Sequence, residues 1–309
     1  MTAERLKPLL SHMKGRVLWH EPLSKHTSLR TGGPAEAYVY PKNIKELSLL
    51  FKNITEEKIP YLVLGDGSNV LASDRGFQGI VLNLSSLNEI EIIKQNTSYV
   101  DILIGVGLRK QTVLSWAQER GYSGFEFLSG IPGQMGGGLF MNAGTHLGCF
   151  GDVVKEVFIL NENGEEVSIS VNTENFFYRK QNFCKNNSII TRALFRLVYD
   201  DPEKIEQKVK EMLLDRKEKQ PLQYPNCGST FMNPVKTSGE LTAGGLIEHS
   251  GLKGLRIGNA MVSTKHANFI VNLGKATSQD VLSIIENVEK KIKTVHGIHL
   301  QREVIVLDY

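Results

Sequence analysis

At 309 residues the chain has room for two or three small domains of roughly 100–150 residues each. Hydrophobic residues make up 41% and charged residues 22%, ordinary globular usage that can bury a core without disulfides or metals. With 36 basic against 33 acidic residues the net charge is only +3, which excludes a broad basic field for nucleic acid or a membrane surface.

The three cysteines, Cys149, Cys184 and Cys227, have no CxxC spacing and read as reduced thiols. The opening stretch MTAERLKPLLSHMKGRVLW holds no apolar run of signal-peptide quality. No window approaches the ~20 apolar residues of a membrane span. A soluble, cytoplasmic, monomeric protein is the expectation.

Taken in chain order, residues 23–84 predict a small α/β unit. Short strands at Ala37–Tyr40, Tyr61–Leu64 and Ile80–Leu82 surround a helix over Ile44–Glu57. Residues 87–200 add strands at Tyr99–Gly105, Val154–Leu160, Glu166–Val171 and Ile189–Val198, with a hairpin turn at Asn161–Gly164. A helix over Arg109–Arg120 interrupts them, followed by an extended glycine-rich segment from Gly130 to Gly151. The third region predicts a helix from Glu203 to Lys219, started by Asp201-Pro202 and stopped by Pro221. A second helix, Ser278–Val295, buries Val281, Ile284, Ile285, Val288 and Ile292 and closes at Gly297. Glu303–Leu307 forms a last strand.

Two glycine segments carry chemistry. In Leu64-Gly-Asp-Gly-Ser-Asn-Val70 the turn can aim its amides at an anion, or it can be an ordinary strand-to-loop turn. It is neither a dinucleotide fingerprint nor a P-loop. The second, Gly130-Ile-Pro-Gly-Gln-Met-Gly-Gly-Gly138, leads into Leu-Phe-Met-Asn-Ala-Gly144. Glycine there costs conformational entropy unless something must approach closely, and the interleaved apolar residues argue against a loose surface loop.

Three polar positions stand apart. Arg179, in Phe176-Phe-Tyr-Arg179, is either an ion-pair partner or a fixed cation for a carboxylate. Ser229, in Cys227-Gly-Ser-Thr-Phe-Met-Asn-Pro234, needs a polarising neighbourhood to give up a proton; without a GxSxG elbow a hydrolase nucleophile is disfavoured. Glu303, in Leu300-Gln-Arg-Glu-Val304, is either an edge-strand surface charge or a carboxyl kept protonated by apolar surroundings. Arg216, Lys217 and Lys219 place positive charge at a helix end, where it complements the dipole. His249 and His266 lack a third ligand at useful spacing, so no metal site is expected.

The pair GDGSNVL and SGIPGQMGGGLFMNAG, preceded by Leu29-Arg-Thr-Gly-Gly-Pro34, resembles the FAD-binding half of the UDP-N-acetylenolpyruvoylglucosamine reductase family, within the vanillyl-alcohol-oxidase type of flavoprotein. The likeness runs from about Leu23 to the C-terminus. The fold it implies is α+β, a two-lobed FAD-binding region with a C-terminal α/β substrate-binding domain. Residues 1–84, with the strand 304–309, would form one FAD-binding lobe, 85–200 the second, and 201–303 the substrate domain. FAD would be held by Arg30, Thr31, Gly65, Asp66, Gly67, Ser68, Asn69, Gly130, Ile131, Pro132, Gly133, Gly136, Gly137, Asn142, Ala143 and Gly144. Ser229 would donate a proton while Arg179 and Glu303 stabilise an enol-type intermediate; Lys219 and Asn233 would hold the nucleotide sugar.

The implied activity is NADPH-dependent reduction of UDP-N-acetylglucosamine enolpyruvate to UDP-N-acetylmuramate, in peptidoglycan precursor synthesis. Another FAD-dependent oxidase or dehydrogenase on the same scaffold is the alternative, with His146 as the one clear residue for tethering a flavin. The stretch between Tyr178 and Phe195 is too short for the tyrosine-bearing loop of one subclass, so the shorter subclass fits better. Three departures from the family pattern mark the chain: Thr145-His146 in the NAGAYG motif, Gln181 where a serine is usual, and Gln301-Arg302 in place of Glu-Pro.

Overall fold

The computed structural model describes residues 3–185, 187–234 and 242–307. A four-stranded sheet runs in the order Arg16–Pro22, Pro34–Tyr40, Phe77–Leu82, Tyr61–Val63. The last two strands pair in parallel, Tyr61 with Ile80 and Val63 with Leu82. The helix Ile44–Glu56 starts where the Asn43 side chain accepts the Glu46 N–H at 3.0 Å, a satisfied first-turn donor. Its Leu47, Leu50, Phe51 and Ile54 recur at helical spacing and are buried against Ala37, Val39, Ile80 and Leu82.

A second sheet is antiparallel, in the order Glu166–Ser170, Val154–Leu160, Ile189–Tyr199, Tyr99–Gly105, Ile90–Gln95, with Tyr122–Ser123 on the far end of Ile189–Tyr199. Ala193 lies opposite Val157 on one side and Ile104 on the other. All three are fully buried, as the strand pattern requires. The Asn161–Gly164 turn joins the first two strands: the Asn161 side chain accepts from the N–H groups of Asn163 and Glu165, and Gly164 takes φ +74°.

By contacts the chain forms two compact units. The first comprises Met1–Trp19, Glu36–Gly65 and Gly79–Leu214; the second comprises His20–Ala35, Asp66–Gln78 and Asp215–Tyr309. In the second, the strand Ile305–Leu307 runs parallel to Val70–Ala72. The helix Ser278–His296 starts at a reciprocal Thr277–Asp280 cap and stops at Gly297, φ +70°. Its buried residues are the five expected from spacing.

Four elements stand out against expectation. The segment Gly130 to Gly151 is not wholly extended: Met135–Phe140 is a short α-helix. Glycine disfavours helix by about 1 kcal/mol per residue, so packing supplies the reason. A Cβ on Gly138 would come within 2.4 Å of the Phe150 ring and 2.7 Å of Lys110 Cε, and one on Gly136 within 3.0 Å of Val106 Cβ. The helix Ala3–Leu10 and the strands Arg16–Pro22 and Ile90–Gln95 have too weak a pattern to be expected. No helix among the described residues is long and apolar enough to cross a membrane.

Candidate active site

In the first unit the second glycine segment is built on an aromatic floor. Phe125, Phe127, Phe150 and Phe195 meet edge to face, with ring centroids 5.2 Å apart for Phe125–Phe195 and 5.4 Å for Phe127–Phe150. Gly130 and Gly133 take φ +67° and +97°, conformations that side chains resist. The N–H of Ile131 goes to Leu128, and that of Gly136 to Val106 at 3.0 Å. Gly136 therefore serves a close backbone approach. At Gly137 a Cβ would meet nothing within 4 Å, so there the helix presents bare backbone to open space.

Lys110, which the sequence did not single out, is 4% exposed and donates to the Pro132 carbonyl at 2.8 Å. Its signal, a lysine at the start of a helix, was too common to be read. Gly65, also in this unit, faces Gln134, whose Oε1 would lie 2.7 Å from an added Cβ. Asn83 holds that corner: its amide donates to Leu64 O at 3.0 Å and to the Tyr38 hydroxyl at 3.1 Å.

Arg179 lies in the same unit, at the tip of a hairpin formed by Phe176–Phe177 and Lys180–Gln181. It takes φ +59°, and its guanidinium stands over the Tyr178 ring at 5.0 Å. Gln181 does not brace the arginine: its amide closes on Cys184, accepting from the N–H at 2.7 Å and donating to the carbonyl at 3.0 Å. Asn142, buried after the glycine helix, donates to Phe177 O at 2.9 Å and accepts from Gly151 N at 3.0 Å. Ala143 gives its N–H to Gly138 and its carbonyl to Phe150. Gly144-Thr145 pairs with Gly148-Cys149, leaving His146 exposed at the tip.

The second unit gathers the other residues. Gly67, φ +56°, packs so closely on the 26–27 backbone that a Cβ would lie 2.3 Å from His26 O. The turn Thr27–Thr31 is closed by Thr27 Oγ1 donating to Thr31 O at 2.8 Å, with Arg30 at φ +59°. The same turn is tied to Gly67, whose carbonyl accepts the Ser28 N–H at 3.1 Å. Thr31 is 2% exposed, and its own hydroxyl has no hydrogen-bond partner among the described residues. An orphaned buried hydroxyl beside glycine turns fits a phosphate- or hydroxyl-rich cofactor such as FAD.

Asn69 donates to Glu303 O at 2.9 Å and receives the Ile305 N–H. Glu303 and Val304 both give their N–H to Thr230 O, at 2.8 and 3.3 Å, and Phe231 bridges to Arg302. Ser229 and Glu303 are thus fixed on adjoining backbone. Gly228, φ +79°, turns the chain into Ser229, which is half-buried. Burial pushes the Cys227 thiol up to about 12, so it is an inert neutral neighbour. Arg302 grips Glu289 with two bonds of 2.6 and 2.8 Å, which ties the residue before Glu303 to the helix Ser278–His296.

The helix Pro202–Lys219 ends at Lys219, as expected. Lys219 is exposed and paired with Asp215, which raises its pKa. Arg216 is the more enclosed; burial lowers its pKa against the pull of Asp215. Asn233 is exposed and accepts the Ala243 N–H at 3.0 Å, helping start the helix Ala243–His249. No group of three or more His, Cys, Asp and Glu among the described residues is placed to hold a metal.

Residues 35–170 match the family model of an FAD binding domain, and residues 220–307 that of the UDP-N-acetylenolpyruvoylglucosamine reductase C-terminal domain. The reductase of that name from Caldanaerobacter subterraneus subsp. tengcongensis is 39% identical over 98% of this chain and 97% of its own. That of Shouchella clausii is 37% identical over 98% and 95%. The crystal structure of UDP-N-acetylenolpyruvylglucosamine reductase from Thermus caldophilus matches at TM-score 0.79 and 33% identity, covering 96% of this chain and all of that one.

Proposed function

The chain belongs to the UDP-N-acetylenolpyruvoylglucosamine reductase family and is an FAD-dependent oxidoreductase, and from that premise we propose that NADPH is its electron donor and that Ser229, Arg179 and Glu303 carry its chemistry. The substrate is the enolpyruvyl ether of UDP-N-acetylglucosamine and the product UDP-N-acetylmuramate, a peptidoglycan precursor made in the cytoplasm. FAD, when bound, supplies a two-electron relay that accepts hydride from NADPH and delivers it to the vinyl carbon.

Hydride addition drives charge onto the substrate carboxylate. Arg179, as a guanidinium, and Glu303, as a protonated carboxyl, stabilise it where it develops. The Ser229 hydroxyl then gives its proton to the carbon beside that carboxylate. The observation that carries this reading is the pair of hydrogen bonds that the Glu303 and Val304 N–H groups donate to Thr230 O, which keeps the proposed acid and proton donor on one rigid piece of backbone. Thr31 and the turns at Gly67, Gly130 and Gly133 would hold the cofactor, with Gly137 as its point of close approach. Arg216 and Lys219 are the cations available for the diphosphate.

The test is an anaerobic spectrum. The flavin band should bleach with NADPH and return when the enolpyruvyl nucleotide is added. Ser229→Ala should still bleach but recover slower by about 10²–10⁴-fold, the range of lost acid catalysis. A protein that stays colourless with added FAD, or a variant slowed equally in both steps, would refute the assignment.

A further inference from the structure

We propose that Asn142 is a positioning residue, its side-chain amide clamping the hairpin that carries Arg179 rather than holding the cofactor. The inference rests on the catalytic reading of Arg179 and extends it. Asn142 is 7% exposed and follows the glycine helix at φ +41°, a left-handed position that asparagine tolerates and most residues do not. One end of its amide accepts the Gly151 N–H at 3.0 Å, and the other donates to Phe177 O at 2.9 Å. The Cys149 thiol also reaches it. Donor and acceptor are both engaged on protein.

Phe177 lies two residues before Arg179, inside the hairpin, paired with Lys180. The strand residue next to it, Phe176, is buried and packs so tightly on Gly151 that a Cβ there would come within 2.8 Å. The hairpin therefore has a fixed base at Phe176–Gly151, and Asn142 ties it again at Phe177 O. Arg179 itself sits in a left-handed conformation that side chains resist. A two-residue turn holding such a residue needs its flanking strands pinned. Without the bond to Phe177 O the tip can rock, and a displacement of about 1 Å at a reacting group costs on the order of 10²-fold in rate.

Asn142→Gly tests this because glycine keeps the left-handed backbone and deletes only the amide. Two measurements apply. Reoxidation of the NADPH-reduced flavin by the enolpyruvyl nucleotide should slow on the order of 10- to 100-fold. In an Arg179→Lys background the same change should add less than about 2-fold, since coupled residues are not additive. Independently of activity, trypsin cleavage after Arg179 and Lys180, followed by mass spectrometry, should accelerate several-fold against cleavage within Ser278–His296 as internal standard. Fully additive kinetic effects, or unchanged cleavage at the hairpin, would overturn the clamp. If Arg179→Lys alone leaves reoxidation untouched, the catalytic reading of Arg179 falls, and cleavage alone then decides whether Asn142 holds the hairpin.

Discussion

Thr230 gives its carbonyl to Glu303 and Val304 and its N–H to Asn268 O, yet its own hydroxyl, on a side chain 1% exposed, finds no partner among the described residues. An enclosed, unsatisfied hydroxyl costs about 1–3 kcal/mol, while a methyl of the same shape carries no such penalty. Thr230→Val should therefore raise stability by about 1 kcal/mol, read as a higher denaturation midpoint at unchanged slope in FAD-free protein. A lower midpoint would mean that the hydroxyl has a water partner. Single residues were also the hardest part of the site to read in advance. The motif around Ser229 was legible because a flexible glycine precedes a hydroxyl and an aromatic run. That Asn142 turns to the hairpin, that Lys110 is buried, and that Arg216 rather than Lys219 is enclosed depend on neighbours 9 to 35 residues away or on burial itself. No local pattern encodes those.

Among the elements, the helices with caps and a continuous apolar stripe were legible because their causes are local: Asn43 and Thr277 start them and Gly297 stops one. The glycine helix Met135–Phe140 was not, because Val106, Phe150 and Lys110 decide it from elsewhere in the chain. Two of its glycines should respond differently to the same methyl group. Gly138→Ala meets the Phe150 ring, so overpacking of about 1–3 kcal/mol outweighs the roughly 1 kcal/mol gained in helix propensity, and FAD-free protein should melt lower. Gly137→Ala meets nothing, so the same protein should melt higher by up to about 1 kcal/mol while binding FAD more weakly. Thermal melts with FAD titrations separate the two. Equal effects at both positions would contradict the assignment of Gly137 to cofactor approach.

At the scale of the whole molecule, the first unit carries an acid-sensitive tie. Burial pushes the Glu126 carboxyl up, but the Ser123 hydroxyl, the Gly124 N–H and Lys208 more than offset it and leave the pKa below the usual carboxylate value. A depressed folded-state pKa stabilises fully above the unfolded value of about 4.3 and is lost as pH falls through the folded one. The stability gap between the native chain and Glu126→Gln should thus be widest near neutrality and narrow below about pH 4, measured by urea unfolding at several pH values. A gap independent of pH would exclude the tie. The second unit has a different consequence, one of timing. It is assembled from 20–35, 66–78 and 215–309, and the Asn69–Glu303 bond closes over 234 residues. A ribosome adding ~5–20 residues per second leaves the Gly65–Asn69 turn waiting roughly 10–50 s for its partner strand. During that interval the strand Val70–Ala72 lacks its partner Ile305–Leu307, so newborn chains expose a strand edge that chaperones or aggregation can capture.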